Sequence, residues 1–173
     1  MIKRTGFLLS AVLALFPLCA AHAQAKRGDV ILPPAVTAKI TPATVFFRGQ
    51  SAPMQLRNTF GVRTADGAVV LMGLVDSSGY SSGIQQKYQG YILTEVALNF
   101  SGKHLAPGAY AFGFVGANAF TVMDLGNHDL LSVPWATDAN LHRPRPLQIV
   151  QGAQAQTYRL YAGRKYVDFA LGK

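Results

Sequence analysis

The chain has 173 residues, including 16 lysine or arginine residues, 8 aspartate or glutamate residues and one cysteine. This length suits one domain with its own core, and a lone cysteine excludes a framework of intramolecular disulfides. The basic excess fits an anionic partner, but no run of basic residues alternates with aromatic residues, so a nucleic-acid partner is not expected.

The N-terminus has the three parts of a secretory signal peptide. Lys3 and Arg4 precede an apolar run at 7–18, and Ala-His-Ala at 21–23 supplies a cleavage site. The apolar run is too short for a stable membrane-spanning helix, and no later run is longer. We therefore predict export to the periplasm or outside the cell, and a mature chain that starts at Gln24 with no transmembrane helix. The alanine-rich signal and the cysteine-free body are typical of a bacterial protein.

Loss of this signal leaves 14 of the basic residues against the 8 acidic ones, a net charge of about +6. Basic side chains are concentrated in the last third of the chain, at Arg143, Arg145, Arg159, Arg164 and Lys165. If exposed together, they would attract an anionic surface such as lipopolysaccharide, teichoic acid or an acidic protein. Solubility is the simpler explanation for the same excess.

Residues 24–34 are polar at first and end in two prolines, and we predict that they form a flexible N-terminal arm. The rest of the chain, 35–173, is predicted to form a single β domain. Its first candidate strands are 36–40, 44–48, 54–57 and 62–64. Asp66-Gly67 between apolar runs indicates a hairpin, and the apolar segment 68–75 indicates a central strand.

A polar segment, 76–90, interrupts the β pattern, and its second half predicts the only helix, at 82–88, with Ser82 as N-cap. Apolar residues then alternate along 91–100, which predicts one amphipathic strand. The region from Gly102 to Trp135 reads as consecutive antiparallel strands joined by short turns, and we predict that the fold is organised around it.

One strand of this region has an aromatic face and a face of small residues, formed by Ala109, Ala111 and Gly113. So little side-chain volume on a central strand requires either an element that packs unusually close or a hollow that holds a ligand. Close packing is the expected outcome, because protein interiors are normally filled.

Trp135 is followed by a predicted loop at 136–146, in which two Arg-Pro pairs favour an extended backbone. The last candidate strands are 147–150, 158–161 and 166–170. About ten short strands with turn residues between them, and at most one short helix, predict an all-β antiparallel β-sandwich or small barrel.

The nonapeptide Gly-Lys-His-Leu-Ala-Pro-Gly-Ala-Tyr at 102–110 resembles a hairpin found in many exported bacterial β-sandwich domains, several of unknown function. The resemblance implies a β-sandwich. It covers less than a tenth of the chain and carries no catalytic residue, so it identifies no family.

The segment Gly79-Tyr80-Ser81-Ser82-Gly83 matches the G-x-S-x-G pattern of a nucleophile elbow, with Asp138 and His142 following in the order found in α/β-hydrolases. The chain lacks the alternating β/α pattern of that scaffold. A flexible surface loop is the simpler interpretation of the glycines and serines, and a small serine hydrolase that uses Ser81 is an alternative.

A metal site is a second alternative, with His128 and His142 as ligands. No pair of histidines has the strand or helix spacing that places two ligands on one face. Asn127-His128-Asp129 follows a glycine and has the composition of a turn. We therefore expect neither a metal nor any other cofactor.

Ligand contact is also suggested by Tyr80, Tyr88, Tyr91 and Trp135, because a rigid ring with a polar group suits carbohydrate or peptide. The β propensity of tyrosine explains these residues equally well. The sequence as a whole predicts a non-enzymatic exported module that binds an unknown envelope partner or ligand, anionic or carbohydrate in nature.

Overall fold

The structure is a computed structural model that describes residues 28–172. The predicted signal peptide and residues 24–27 of the predicted arm lie outside the described residues. The elements are β1 (Val30–Leu32), α1 (Pro34–Thr37), β2 (Thr44–Phe47), β3 (Gln50–Arg63), β4 (Val69–Val75), α2 (Ser82–Lys87), β5 (Gly90–Thr94), β6 (Leu98–Phe100), β7 (Lys103–Leu105), β8 (Gly108–Val115), β9 (Ala119–Met123), β10 (Asp129–Pro134), β11 (Ala136–Thr137), β12 (Gln148–Gln151), β13 (Thr157–Ala162) and β14 (Lys165–Leu171).

These strands form two antiparallel sheets that pack face to face. The first sheet has the order β1-β3-β4-β5-β8-β9-β10, with β2 paired to the N-terminal part of β3, and the second has the order β12-β13-β14-β6-β7, with β11 paired to β14. The predicted β-sandwich is confirmed, and the described strands do not form a closed barrel. Neither helix within residues 28–172 has the length and apolar character needed to cross a membrane.

The main core lies between the sheets and contains a series of contacting aromatic rings among its aliphatic side chains. Phe120 of the first sheet lies 5.2 Å from Phe100 of the second, measured between ring centroids, and 5.6 Å from Phe112. Phe100 in turn lies 5.7 Å from Phe169. Such offset rings bury a large apolar area and add favourable edge contacts, so they hold the two sheets together.

A second apolar cluster covers part of the outer face of the first sheet. The β2–β3 hairpin supplies Phe47, and the segment before β5, which includes α2, supplies Tyr80 and Tyr88. The sheet supplies Tyr91 and Met123 beneath them. Because both faces of its strands are covered here, the first sheet contains strands that are apolar on both faces, namely β4, which was predicted to be central, and β9.

The small-residue face of β8 is closed by this cluster at two of its three positions. A Cβ atom on Gly113 would lie 2.1 Å from the carbonyl oxygen of Lys87 at the end of α2. Ala111 is fully buried in the same cluster. The expected close packing is therefore confirmed for Gly113 and Ala111, whereas Ala109 remains half-buried.

The predicted strand 91–100 is wrong as a single element. The structure splits it into β5 in the first sheet and β6 in the second, with residues 95–97 between them. The hydroxyl of Thr94 donates to the carbonyl oxygen of Val96, and such a local bond competes with the strand ladder. Apolar residues continue through the crossing, so their periodicity alone does not reveal it.

Two further corrections fall near the start of the domain. The predicted strand 36–40 is wrong, because the segment forms α1 and a turn, with proline at the first helical positions. Residues 28–172 therefore contain two short helices where at most one was expected. Residues 30–32, assigned to the flexible arm, form β1 and pair with β3 through Ile31 and Val62, which corrects that part of the assignment.

The other local predictions differ in detail. The candidate strands 54–57 and 62–64 belong to one long strand, β3, whose register shifts between Met54 and Thr59. The helix predicted at 82–88 is found as α2, with Ser81 rather than Ser82 as N-cap and no capping hydrogen bond from its side chain. The Asp66-Gly67 hairpin is present between β3 and β4, and Gly67 has a φ of +100°.

Candidate binding surface on the second sheet

The β13–β14 hairpin places charged and aromatic side chains on the outer face of the second sheet. Arg159 is the cross-strand neighbour of Asp168, and Tyr161 is the neighbour of Tyr166. The alternate residues of both strands, such as Leu160, are buried in the main core. Strand alternation therefore separates an apolar inner face from a polar outer face.

An aromatic ring and a carboxylate hold Arg159 in place. Its guanidinium carbon lies 4.5 Å from the centroid of the Tyr166 ring, and its Nε donates to Asp168 Oδ1 over 2.9 Å. The hydrogen bond to Asp168 raises the pKa of Arg159 above its usual value. Tyr161 packs beside Tyr166 with 5.2 Å between ring centroids, so the cation lies on an ordered aromatic pair.

The loop at 138–146 is attached to this hairpin by several hydrogen bonds. Tyr161 Oη donates to Asp138 Oδ2 over 3.0 Å, and the Asp138 amide donates to the Arg164 carbonyl over 2.9 Å. Arg164 Nη1 donates to the Ala139 carbonyl over 2.8 Å. The Gly163 amide donates to the Arg145 carbonyl over 2.9 Å, which brings the two-arginine segment beside the hairpin turn.

A second cation lies on an aromatic ring at the same end of the hairpin. Lys165 Nζ is 4.6 Å from the centroid of the Trp135 ring. Trp135 is half-buried where the chain passes from β10 to β11, and its amide donates to the Asn118 carbonyl. The ring restricts the long lysine side chain, and the conformational entropy of that side chain is therefore lost during folding and not when a ligand binds.

We call this region the cationic surface. On the outer face it comprises Arg159 and the half-buried ring of Tyr166, and beside the hairpin turn it adds Arg143, Arg145, Arg164 and Lys165. Lys165 and Trp135 form its edge: Lys165 alternates with Tyr166 along β14, so its side chain leaves on the inner side, where Trp135 packs against the main core. Two carboxylates, Asp138 and Asp168, lie among them and already accept hydrogen bonds from the hairpin. Five positive charges against two negative charges leave a positive surface, and Arg143 and Arg145 are exposed to solvent.

The structure brings the three suggested ligand-binding tyrosines together, but inside the second apolar cluster. Tyr80, Tyr88 and Tyr91 are 7%, 0% and 5% exposed, so their rings are not open to a ligand. Tyr80 Oη donates to the carbonyl oxygens of Phe47 and Gln50, and burial raises the pKa of Tyr88. Trp135 lies apart from them, beside the hairpin.

The serine, aspartate and histidine of the hydrolase hypothesis are not brought together. Ser81 is exposed before α2, which packs on the outer face of the first sheet. Asp138 accepts its hydrogen bond from Tyr161 on the outer face of the second sheet, and His142 is exposed in the same loop. The candidate nucleophile and the two other residues therefore lie on opposite sides of the sandwich.

Within residues 28–172, no three histidine, cysteine, aspartate or glutamate side chains are close enough to hold a metal ion. His128 Nδ1 lies 2.9 Å from Asp124 Oδ2, in the turn between β9 and β10. Asp124 Oδ1 also accepts the amides of Gly126 and His128. The hydrogen bond from the His128 amide is the main reason that the pKa of Asp124 is lowered. The contacts of His128 therefore belong to the hydrogen bonding of the β9–β10 turn and, in the described part of the chain, involve no second metal-ligating histidine.

The cross-strand pairs that organise the cationic surface are not among the residues predicted from the sequence. Their positions relative to the hairpin turn nevertheless specify them. Arg159 lies four residues before Gly163, and Asp168 lies four residues after Arg164. In a hairpin with a two-residue turn, positions equally distant from the turn are paired across the strands. This register identifies both the Arg159–Asp168 pair and the paired rings of Tyr161 and Tyr166.

The fold and this surface define an all-β sandwich with a cationic surface at its β13–β14 hairpin. No protein-family model, curated protein or solved structure matches the chain.

Proposed function

We propose that the protein is a non-enzymatic exported module that binds an anionic polysaccharide of the cell envelope through the cationic surface. The observation that supports this function is the convergence of five basic residues, spread over the segment 143–165, on or beside one hairpin, with Arg159 held on the outer-face ring of Tyr166. A solvated charge excess without a binding role requires no such convergence.

The contacts of Arg159 and Lys165 favour recognition over general solubility. Each cation is already held against a ring, so less side-chain entropy is lost when an anionic group binds it. The half-buried rings offer apolar edges beside the charges, which suits the mixed polar and apolar surface of a sugar chain. The flat outer face of a sheet is also suited to an extended polymer.

The position of Ser81 supports binding over serine hydrolysis. A serine nucleophile requires a base within hydrogen-bond reach, and Asp138 and His142 lie on the other side of the sandwich. Export is part of the proposal because residues 1–23 have the pattern of a signal peptide, and an envelope polysaccharide is met only outside the cytoplasm.

The proposal is tested by retention of the purified protein on immobilised polygalacturonate and dextran sulfate, with neutral dextran as reference. We expect retention on both anionic polymers and its loss as salt is raised, because salt screens exposed charges. Replacing Arg143 and Arg145 by alanine should weaken binding roughly two- to tenfold, with little effect on folding, since both side chains are exposed.

The matched control replaces Arg57 and Arg63, two exposed arginines of β3 in the first sheet, by alanine. It lowers the net charge by the same amount and should leave binding nearly unchanged. An equal loss in both double variants would reduce the effect to net charge and contradict a specific surface. Equal retention on polyglutamate would instead identify an acidic protein as the partner.

A further inference from the structure

An apolar groove crosses the outer face of the first sheet beside the second apolar cluster. Leu71, Leu93 and Ala109 are successive cross-strand neighbours on β4, β5 and β8. The next row, which includes Tyr91 and Ala111, is buried under the cluster. The row of Leu71, Leu93 and Ala109 is only half-buried, and it forms the floor of a groove of about 470 Å³ together with Val69.

The groove is bounded by elements already described. At the β3 end of the row, a Cβ atom on Gly61 would lie 3.3 Å from Thr37 of α1, so α1 covers that end. At the other end, Ala109 contributes only a methyl group, so β8 leaves space above the sheet. Of the three residues on the small-residue face of β8, only Ala109 therefore borders a hollow that could hold a ligand.

One carboxylate lies at the rim of this groove. Glu95 Oε2 accepts the amide of Val69 over 2.7 Å, and the Glu95 amide donates to the Val69 carbonyl over 3.1 Å. These two bonds fix the exposed glutamate directly beside the apolar floor. Among residues 28–172, Glu95 is the one charged residue that lines the groove. Arg63, the neighbour of Val69 on β3, does not line it.

We infer that this groove binds a small amphiphile with an aliphatic body and an ammonium head. Its volume falls in the range of small-ligand sites. An aliphatic body removes the leucine and valine floor from water, and the fixed carboxylate of Glu95 complements a cationic head while it disfavours an anionic one. The inference is independent of the cationic surface, which lies on the other sheet.

The test measures backbone amide shifts in heteronuclear NMR spectra during titration with octylammonium, 1-octanol or octanoate. We expect octylammonium to bind best and octanoate worst, with the largest shifts at Val69, Leu71, Leu93, Glu95 and Ala109. Shifts confined to other regions, or equal binding of octanoate and octylammonium, would overturn the inference.

Two variants distinguish the contribution of the ammonium head to binding from that of the aliphatic body. Glu95→Gln keeps an oxygen that can accept the Val69 amide but removes the charge, so it should reduce octylammonium binding about two- to fivefold and leave 1-octanol binding unchanged. Ala109→Phe should fill the groove and abolish binding of both. The matched control is Ala117→Phe, at an exposed turn position.

Thermal melts accompany each titration, so that loss of folding is not read as loss of binding. If Ala109→Phe is unfolded, Ala109→Val narrows the groove with less strain and should weaken both ligands. A folded Ala109→Phe protein that still binds 1-octanol at the wild-type level would exclude the groove as the site.

Discussion

The outer faces of the two sheets differ although both belong to one sandwich. The chain covers much of the first outer face with its own apolar side chains, among them Phe47 and Tyr88. The second outer face carries the charged and aromatic side chains of the β13–β14 hairpin. This difference shows that the sequence of a strand reports the environment of each sheet face. A strand with apolar residues on both faces is covered on both sides, and a strand with strict alternation has one face against the core and one face exposed to solvent.

The largest expected effect breaks the cover on the first sheet. Gly113→Leu places a side chain where even a Cβ atom would lie 2.1 Å from the Lys87 carbonyl oxygen, a backbone atom that cannot move alone. We expect the variant to lose about 1 to 3 kcal/mol of unfolding free energy in urea denaturation, through overpacking.

Gly79→Leu is the control for that loss, because no atom of the described residues lies within 4 Å of a Cβ atom at Gly79. It should change stability by less than about 0.5 kcal/mol. A Gly113→Leu protein with wild-type stability would mean that α2 does not pack against β8, and the comparison of a covered and an open face would fail.

An intermediate effect distinguishes two tyrosines inside the cover. Tyr80 Oη donates to two backbone carbonyl oxygens, whereas the buried Tyr88 Oη has no hydrogen-bond partner among residues 28–172. Tyr80→Phe should therefore cost about 0.5 to 1.5 kcal/mol, and Tyr88→Phe should be neutral or stabilising. Thermal unfolding of both variants checks the order, and a larger loss for Tyr88→Phe would show that its hydroxyl has a partner in solution.

The smallest expected effect concerns acid sensitivity in the exposed β9–β10 turn. The pKa of Asp124 is lowered in the folded state, mainly by the hydrogen bond from the His128 amide. The stabilisation is therefore present above the unfolded pKa, about 3.9, and is lost as the pH falls through the lower folded value.

Carboxyl-carbon NMR titration should give Asp124 a pKa below that of the Asp124-containing unfolded peptide. The protection of the Gly126 and His128 amides against exchange, relative to their intrinsic rates at each pH, should fall only at the acidic end of the titration, because both donate to this carboxylate. An Asp124 pKa at or above the peptide value would contradict these hydrogen bonds.

The sequence contains enough local information to predict the fold class and several turns. Asp66-Gly67 specifies its hairpin through glycine's tolerance of positive φ, and the apolar β4 is central as predicted. The split between β5 and β6 is not predictable in the same way. Leu98 and Phe100 would continue the apolar pattern equally well in the first sheet or in the second. What decides it is the long-range pairing of β6 with β14.

The candidate sites show the same limit. The five basic residues of the last third were identified from composition alone, but their convergence depends on contacts such as Gly163 with Arg145. The tyrosines at 80, 88 and 91 were grouped correctly by sequence position, yet their burial depends on the β2–β3 hairpin, more than thirty residues earlier for Tyr80. Single-sequence patterns do not report such partners.

The position of β14 has a consequence for how the protein acquires its structure. This strand, at residues 165–171, lies in the middle of the second sheet and pairs with β13 on one side and with β6 and β11 on the other. Its pairing of Ala170 with Asn99 joins positions far apart in sequence, and such pairings close large loops and slow folding. Until residues 165–171 emerge and dock, β6–β7 and β12–β13 remain separate hairpins, and the aromatic inner face of the first sheet stays in contact with water.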